Sequence, residues 1–110
     1  FTHWRGEYAG PSGTDILVNA PSIGLFPDVD EVPPVALSSI GPGLLVCDVI
    51  PNPPRTAFLS AAEAQGAGTL DGLGMLVHQG AVGFQMWTGV EAPIDVMRQS
   101  LERVFGALAI

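Results

Sequence analysis

Two short apolar runs, each closed by proline, constrain this chain more than any other feature. The first is TDILVNA, Thr14 to Ala20, with Gly13 before it and Pro21 after it. The second is GLLVCDVI, Gly43 to Ile50, which runs straight into PNPP at 51–54. Aliphatic and β-branched runs with apolar residues on both faces read as buried strands of a parallel sheet. Proline has no N–H to give to a ladder, so the second strand must stop at Ile50. Between the runs, PSIGLFPDVDEVPP at 21–34 holds four prolines and three acids, which predicts a surface loop.

Beyond the second run, Thr56 caps a helix through AFLSAAEAQ that stops near Gly66. Thr69 and Leu70 form a third, very short strand candidate. Residues 73–87, LGMLVHQGAVGFQMW, are apolar nearly all round, which predicts a helix buried on most sides. Pro93 opens a last helix in which Ile94, Met97, Leu101, Val104, Phe105 and Leu108 recur at helical spacing, opposite a polar face. This order predicts an α/β fold with parallel pairing and right-handed crossovers. An irregular lead-in would occupy 1–13, and the sheet unit 14–72. The two final helices would occupy 73–110.

Composition narrows the partners. Hydrophobic residues are 47% of the 110 and charged ones 14%, more apolar surface than so small a domain hides by itself. Three short strands with two open edges point the same way, toward strands supplied from elsewhere. The chain is therefore expected to be a piece of a larger protein. Its net charge is −7, with four arginines and no lysine. That excludes a basic patch for nucleic acid or an anionic membrane. Cys47 is a lone core-type cysteine, which fits a reducing cytoplasm. No apolar run reaches membrane-spanning length, and no metal-ligand cluster is evident.

In open parallel sheets, ligands bind beyond the carboxyl ends of the strands. Here those ends are Asn19–Ser22, Val49–Asn52 and Asp71–Gly74. Asn19 can bond a ligand or pin the turn at Pro21. Asp48, inside the second run, wants buried donors and reads as structural. Gly72 and Gly74 form only a weak dinucleotide fingerprint, since Val77 stands where a small residue belongs. Gly72 instead lets a planar ligand come close to the backbone. Met75 and Gln79 share a helical face, so the Gln79 amide points either into the crevice or at a neighbouring loop. His78 faces elsewhere and reads as structural, and His3 as exposed.

The blocks DILVNA, VCDVIP with NPPRT, DGLGMLVHQG and WTG together resemble the C-terminal part of shikimate dehydrogenases. The resemblance covers nearly everything from Asp15 onward, and the DGLGMLVHQG block is its specific part. It implies the C-terminal half of a partial Rossmann-like, doubly wound parallel sheet followed by two C-terminal helices. It also implies a two-domain enzyme that moves a hydride between NADP (or NAD) and the 3-dehydroshikimate/shikimate pair.

By the same resemblance, Gln79 is the substrate-binding glutamine and Gly72 the glycine that meets the nicotinamide. Val49 replaces a methionine against the nicotinamide ring, and Pro51 a tyrosine near the substrate. Pro21 replaces the threonine of an N-A-T motif on the cofactor side. These departures leave a quinate-type paralogue open. The family's catalytic lysine has no counterpart here, so no catalytic residue is assigned and the chain alone is expected to be inactive. The expected partners are the small-molecule substrate and an absent N-terminal substrate domain. A non-catalytic, self-associating module, or a homo-oligomer, is the rival reading.

Overall fold

The computed structural model describes residues 2–108. Three strands, β1 at Ile16–Asn19, β2 at Leu45–Asp48 and β3 at Gly68–Leu70, form one parallel sheet in the order β1-β2-β3. Ile16 pairs with Leu45 and Asn19 with Asp48, while Leu45 pairs with Gly68 and Cys47 with Leu70. All three strands lie where the apolar runs predict them. The first two are shorter than their runs, because the chain turns away two residues before Pro21 and three before Pro51.

Partners in a parallel ladder point to the same side. Leu17, Val46 and their neighbours face α1, Ala57–Ala64, and form the core with Ile40, Leu44, Phe58, Leu59, Ala62 and Ala67. On the opposite face Ile16, Val18 and Leu70 are exposed and Cys47 is only half-buried. The expectation of strands buried on both sides therefore holds for one face. A parallel sheet needs a helical layer on each side, and here α1 supplies one layer while α2 and α3 pack on each other.

Local chemistry sets the helix ends. Thr56 is extended, and its hydroxyl oxygen accepts the Leu59 N–H, capping α1. Gly66, at φ +90°, reverses the chain after Gln65, and the Ala67 N–H returns to the Ala62 carbonyl. The next helix, α2, spans Leu73–Thr88 and ends on left-handed Gly89. Its apolar circumference predicts burial on most sides, but only Leu73, Val77 and Ala81 are buried. Met75, Val82 and Met86 stand exposed, because they lie on the side of α2 away from the stripe at Leu73, Val77 and Ala81 and from the contact with α3. Trp87, in the last turn, is exposed as well.

The final helix, α3, runs from Ile94 to Leu108. Ile94, Met97, Leu101 and Phe105 are half-buried as their spacing predicts, whereas Val104 is exposed. The Leu108 side chain lies outside the described residues, as do Phe1 and residues 109 and 110 of the expected end segments. The Met97 methyl lies 3.2 Å from where a β-carbon on Gly80 would be, so this glycine lets α3 approach α2 closely.

The lead-in carries no helix or strand over 2–13, yet it is tied down. Tyr8 bridges Val35: its N–H donates to the Pro34 carbonyl and its own carbonyl accepts from Ala36, each at 2.7 Å. Residues 21–34 form the predicted irregular loop, followed by a 3-10 turn at Leu37–Ser39 that the sequence reading does not anticipate.

Candidate functional site at the carboxyl ends of the strands

The ends of β1 and β2 are locked by one buried carboxylate. Asp48 is 2% exposed, and its Oδ1 accepts from Asn19 Nδ2 at 3.2 Å and from the Ile50 N–H at 3.1 Å. Its Oδ2 accepts the Thr56 hydroxyl at 2.8 Å. Thr56 in turn accepts the Leu59 N–H, so its proton is committed to Asp48. Three donors on one carboxylate satisfy a charge that would otherwise be costly to bury. The structural role expected of Asp48 is thus observed, and Asn19 is pinned by Asp48 rather than turned outward.

The sequence foretells the Thr56 cap but not its bond to Asp48. A hydroxyl eight residues after a buried acid, at the head of the next helix, was the available signal. A second tie joins the two strand-end loops, where the Phe26 N–H donates to the Asn52 carbonyl at 2.9 Å.

Gly72 meets the end of β2 directly. A β-carbon there would stand 2.6 Å from the Val49 carbonyl carbon and oxygen and 2.7 Å from the Ile50 carbonyl oxygen. The space that the missing side chain leaves is therefore filled by protein backbone, which by itself accounts for a glycine at 72. Asp71 caps the helix that follows, its Oδ1 accepting the Leu73 N–H at 3.0 Å. Val49 and Pro51 are half-buried and Pro21 is exposed, so this strand end presents apolar, side-chain-poor surface.

Gln79 is exposed rather than buried, and its Nε2 donates to the Leu76 carbonyl at 2.9 Å. Seven residues of helix set it about 10 Å beyond Gly72 and within about 20° of the same line along α2. Met75, on that side of the helix, is exposed, as is His78. The structure thus joins Asn19, Asp48, Val49, Ile50, Thr56 and Gly72 in one contact set. Gln79 stands outside that set, farther along α2.

These groups can bind and orient, but they hold no paired acid and base. No group of three or more His, Cys, Asp or Glu able to hold a metal ion occurs among the described residues. A cleft of about 110 Å³ lies between Pro54, Arg55, Leu59, Thr69 and Asp71. A shallow hollow of about 600 Å³ lies at the opposite end of the sheet, walled by residues 10–14 and 38–44. Those walls are glycine, proline and hydroxyl residues with Ile40 and Leu44, and none is titratable, so no chemistry converges there.

Residues 72–102 match the family model described as the shikimate 5'-dehydrogenase C-terminal domain. The chain is 47% identical over 87 residues to the NADP(+) shikimate dehydrogenase of Methanopyrus kandleri, covering 79% of this chain and 30% of that protein. Among solved structures, it resembles the ligand-free 5-ketofructose reductase of Gluconobacter sp. strain CHM43, with TM-score 0.83 and 52% identity over 93% of this chain and 36% of that one. It also resembles a shikimate dehydrogenase solved in complex with NADP+, with TM-score 0.80 and 42% identity over 84% of this chain and 32% of that one. The parallel sheet is thus part of a Rossmann-like α/β fold, and the chain spans about 30% of the length of the curated relatives it matches. On these matches residues 72–102 carry the shikimate 5'-dehydrogenase C-terminal domain, and the chain resembles a C-terminal portion of shikimate dehydrogenases.

Proposed function

We propose that this chain forms part of the cofactor floor, and supplies one substrate contact, in an NADP(H)-dependent oxidoreductase that interconverts 3-dehydroshikimate and shikimate. The observation that carries this reading is the packing of the Val49–Ile50 backbone on Gly72, at the head of the helix that bears Gln79. It occurs in a chain 47% identical to an NADP(+) shikimate dehydrogenase.

The donor-poor surface around Val49, Pro51 and Pro21 fits the flat face of a nicotinamide ring. NADP(H), when bound, supplies or accepts the hydride. Val49 and Pro51 support the ring from the β2 side, Gly72 buttresses their backbone from behind, and Pro21 stands on the β1 side. Gln79 breaks its bond to Leu76 and offers its amide to a substrate hydroxyl. The exposed stripe of Met75, Val82 and Met86 beside it suits docking of a substrate domain. Self-association of that stripe is the rival. The proton needed at the substrate oxygen comes from outside this chain, which has no lysine.

One observation favours a second substrate. The likeness to the 5-ketofructose reductase reaches 52% identity over 93% of the chain. Pro51, standing where the resemblance expects a tyrosine, removes a hydroxyl from the substrate side. A sugar-derived ketone then replaces the cyclohexene acid, with the same hydride transfer.

The test is NADPH oxidation by the full-length protein with 3-dehydroshikimate, 5-ketofructose and, in reverse, quinate. Turnover of 3-dehydroshikimate with the largest kcat/KM is expected on the first reading, and of 5-ketofructose on the second. No oxidation of NADPH or NADH by either ketone, together with no reduction of NADP+ or NAD+ by quinate, overturns both.

A further inference from the structure

One buried carboxylate takes no part in the reaction proposed above, yet the ends of β1 and β2 and the head of α1 are all tied to it. We infer that Asp48 is a positioning residue for the Val49–Pro51 segment and, through it, for Gly72; its bearing on cofactor binding rests on the oxidoreductase reading.

The geometry gives the reason. Asp48 ends β2, and its Oδ1 takes the N–H of Ile50 two residues on, at 3.1 Å, which bends the chain out of the strand. That bend leaves the Val49 and Ile50 carbonyls against Gly72. Asn19 Nδ2, on the same oxygen at 3.2 Å, fixes the bend relative to β1 and hence to Pro21. Thr56, on the other oxygen at 2.8 Å, fixes it relative to α1.

All three partners are donors, so the position needs an acceptor at both oxygens. An amide would set its own N–H₂ against one of them. The Thr56 hydroxyl cannot turn its proton away without cost, since its oxygen already receives the Leu59 N–H at 3.2 Å. Val49, whose N–H donates to the Asn19 carbonyl at 3.1 Å, is bracketed by the same network. Asp48 therefore acts on the floor without touching what lies on it.

The experiment uses the full-length protein and compares Asp48→Asn, Thr56→Ser and a remote control, Ala62→Gly, in the core of α1. Two quantities are read: amide exchange of a peptide covering 71–76 without cofactor, and the NADPH dissociation constant by fluorescence. Asp48→Asn is expected to speed exchange at 71–76 about tenfold and to weaken NADPH about tenfold. Thr56→Ser keeps the hydroxyl and leaves both within about twofold. Ala62→Gly lowers the melting temperature but moves neither.

Exchange at 71–76 that stays at the wild-type rate in Asp48→Asn overturns the inference. So does a control that shifts both quantities as strongly as the amide does. If the wild type binds no NADPH while exchange still responds to Asp48→Asn, the oxidoreductase reading falls and the positioning role stands. Should Asp48→Asn not fold, Asn19→Ala removes a single donor to Asp48 and is read by the same exchange, with acceleration at 71–76 expected and none overturning the inference.

Discussion

The β-carbon that Gly72 lacks would stand 2.6 Å from the carbonyl carbon and the carbonyl oxygen of Val49. Both are backbone atoms near the buried end of a strand, so neither can swing aside as a side-chain tip would. Gly72 itself sits at φ −84°, ψ −2°, a conformation open to any residue. The demand for glycine is thus one of space between segments and not of local backbone freedom. Gly72→Ala is expected to destabilise the full-length protein by about 2–3 kcal/mol, as overpacking does. Urea unfolding reads this, and a midpoint equal to wild type would mean that β2 and the head of α2 separate freely.

Burial decides which polar contacts matter. Asn19 donates to a carboxylate that is 2% exposed, whereas Arg55 and Glu63 pair on the surface with side chains 62% and 50% exposed. Asn19→Ala is expected to cost about 2 kcal/mol, the scale of a hydrogen bond to a buried charge. Glu63→Gln is expected to change stability by less than about 0.5 kcal/mol. Equal losses in the two variants, in the same denaturant series, would contradict this ordering.

Gln79 makes one exposed bond within its own helix, so its removal has little to disturb in the fold. If Gln79 binds substrate as proposed, Gln79→Ala in the full-length protein is expected to raise the substrate KM about tenfold, the scale of one lost hydrogen bond. The melting temperature should stay near that of wild type. Steady-state kinetics over a range of substrate concentrations gives the answer, and an unaltered KM would remove Gln79 from the substrate site.

Val46 is fully buried at the centre of the sheet, between Leu17 and Thr69 in register and beneath α1. Val46→Ala is expected to cost about 2 kcal/mol through lost contact and a cavity, without moving KM. A thermal unfolding curve together with an activity assay separates this core role from the role proposed for the strand-end residues.

Much of the architecture was legible along the chain. The three strands, the Thr56 cap, the Gly66 stop and the last helix at Pro93 follow from proline, glycine and hydroxyl residues acting within four positions of themselves. The DGLGMLVHQG block carried the family resemblance, and with it Gln79, Gly72, Val49, Pro51 and Pro21 as residues of interest. Less legible was which apolar residues would be covered. Ile16, Val18, Met75 and Met86 satisfy the same hydrophobic pattern as Leu17 and Val77, yet they remain outside the core. Period and composition report that a side chain is apolar, and they do not report whether another layer lies across from it.

Local rules therefore account for where each element of this protein begins and ends, because capping, turning and strand termination involve atoms a few residues apart. The joining of Asn19, Asp48 and Thr56 on one carboxylate, and of Val49 with Gly72 across the end of the sheet, arises only when distant segments are folded together. Partners 29 and 8 residues apart, such as Asn19 and Thr56 around Asp48, leave no periodic trace in the chain. Their bonds depend on strand register and helix packing, which are set by the burial of Val46, Phe58, Leu59 and Ala62 in a common core.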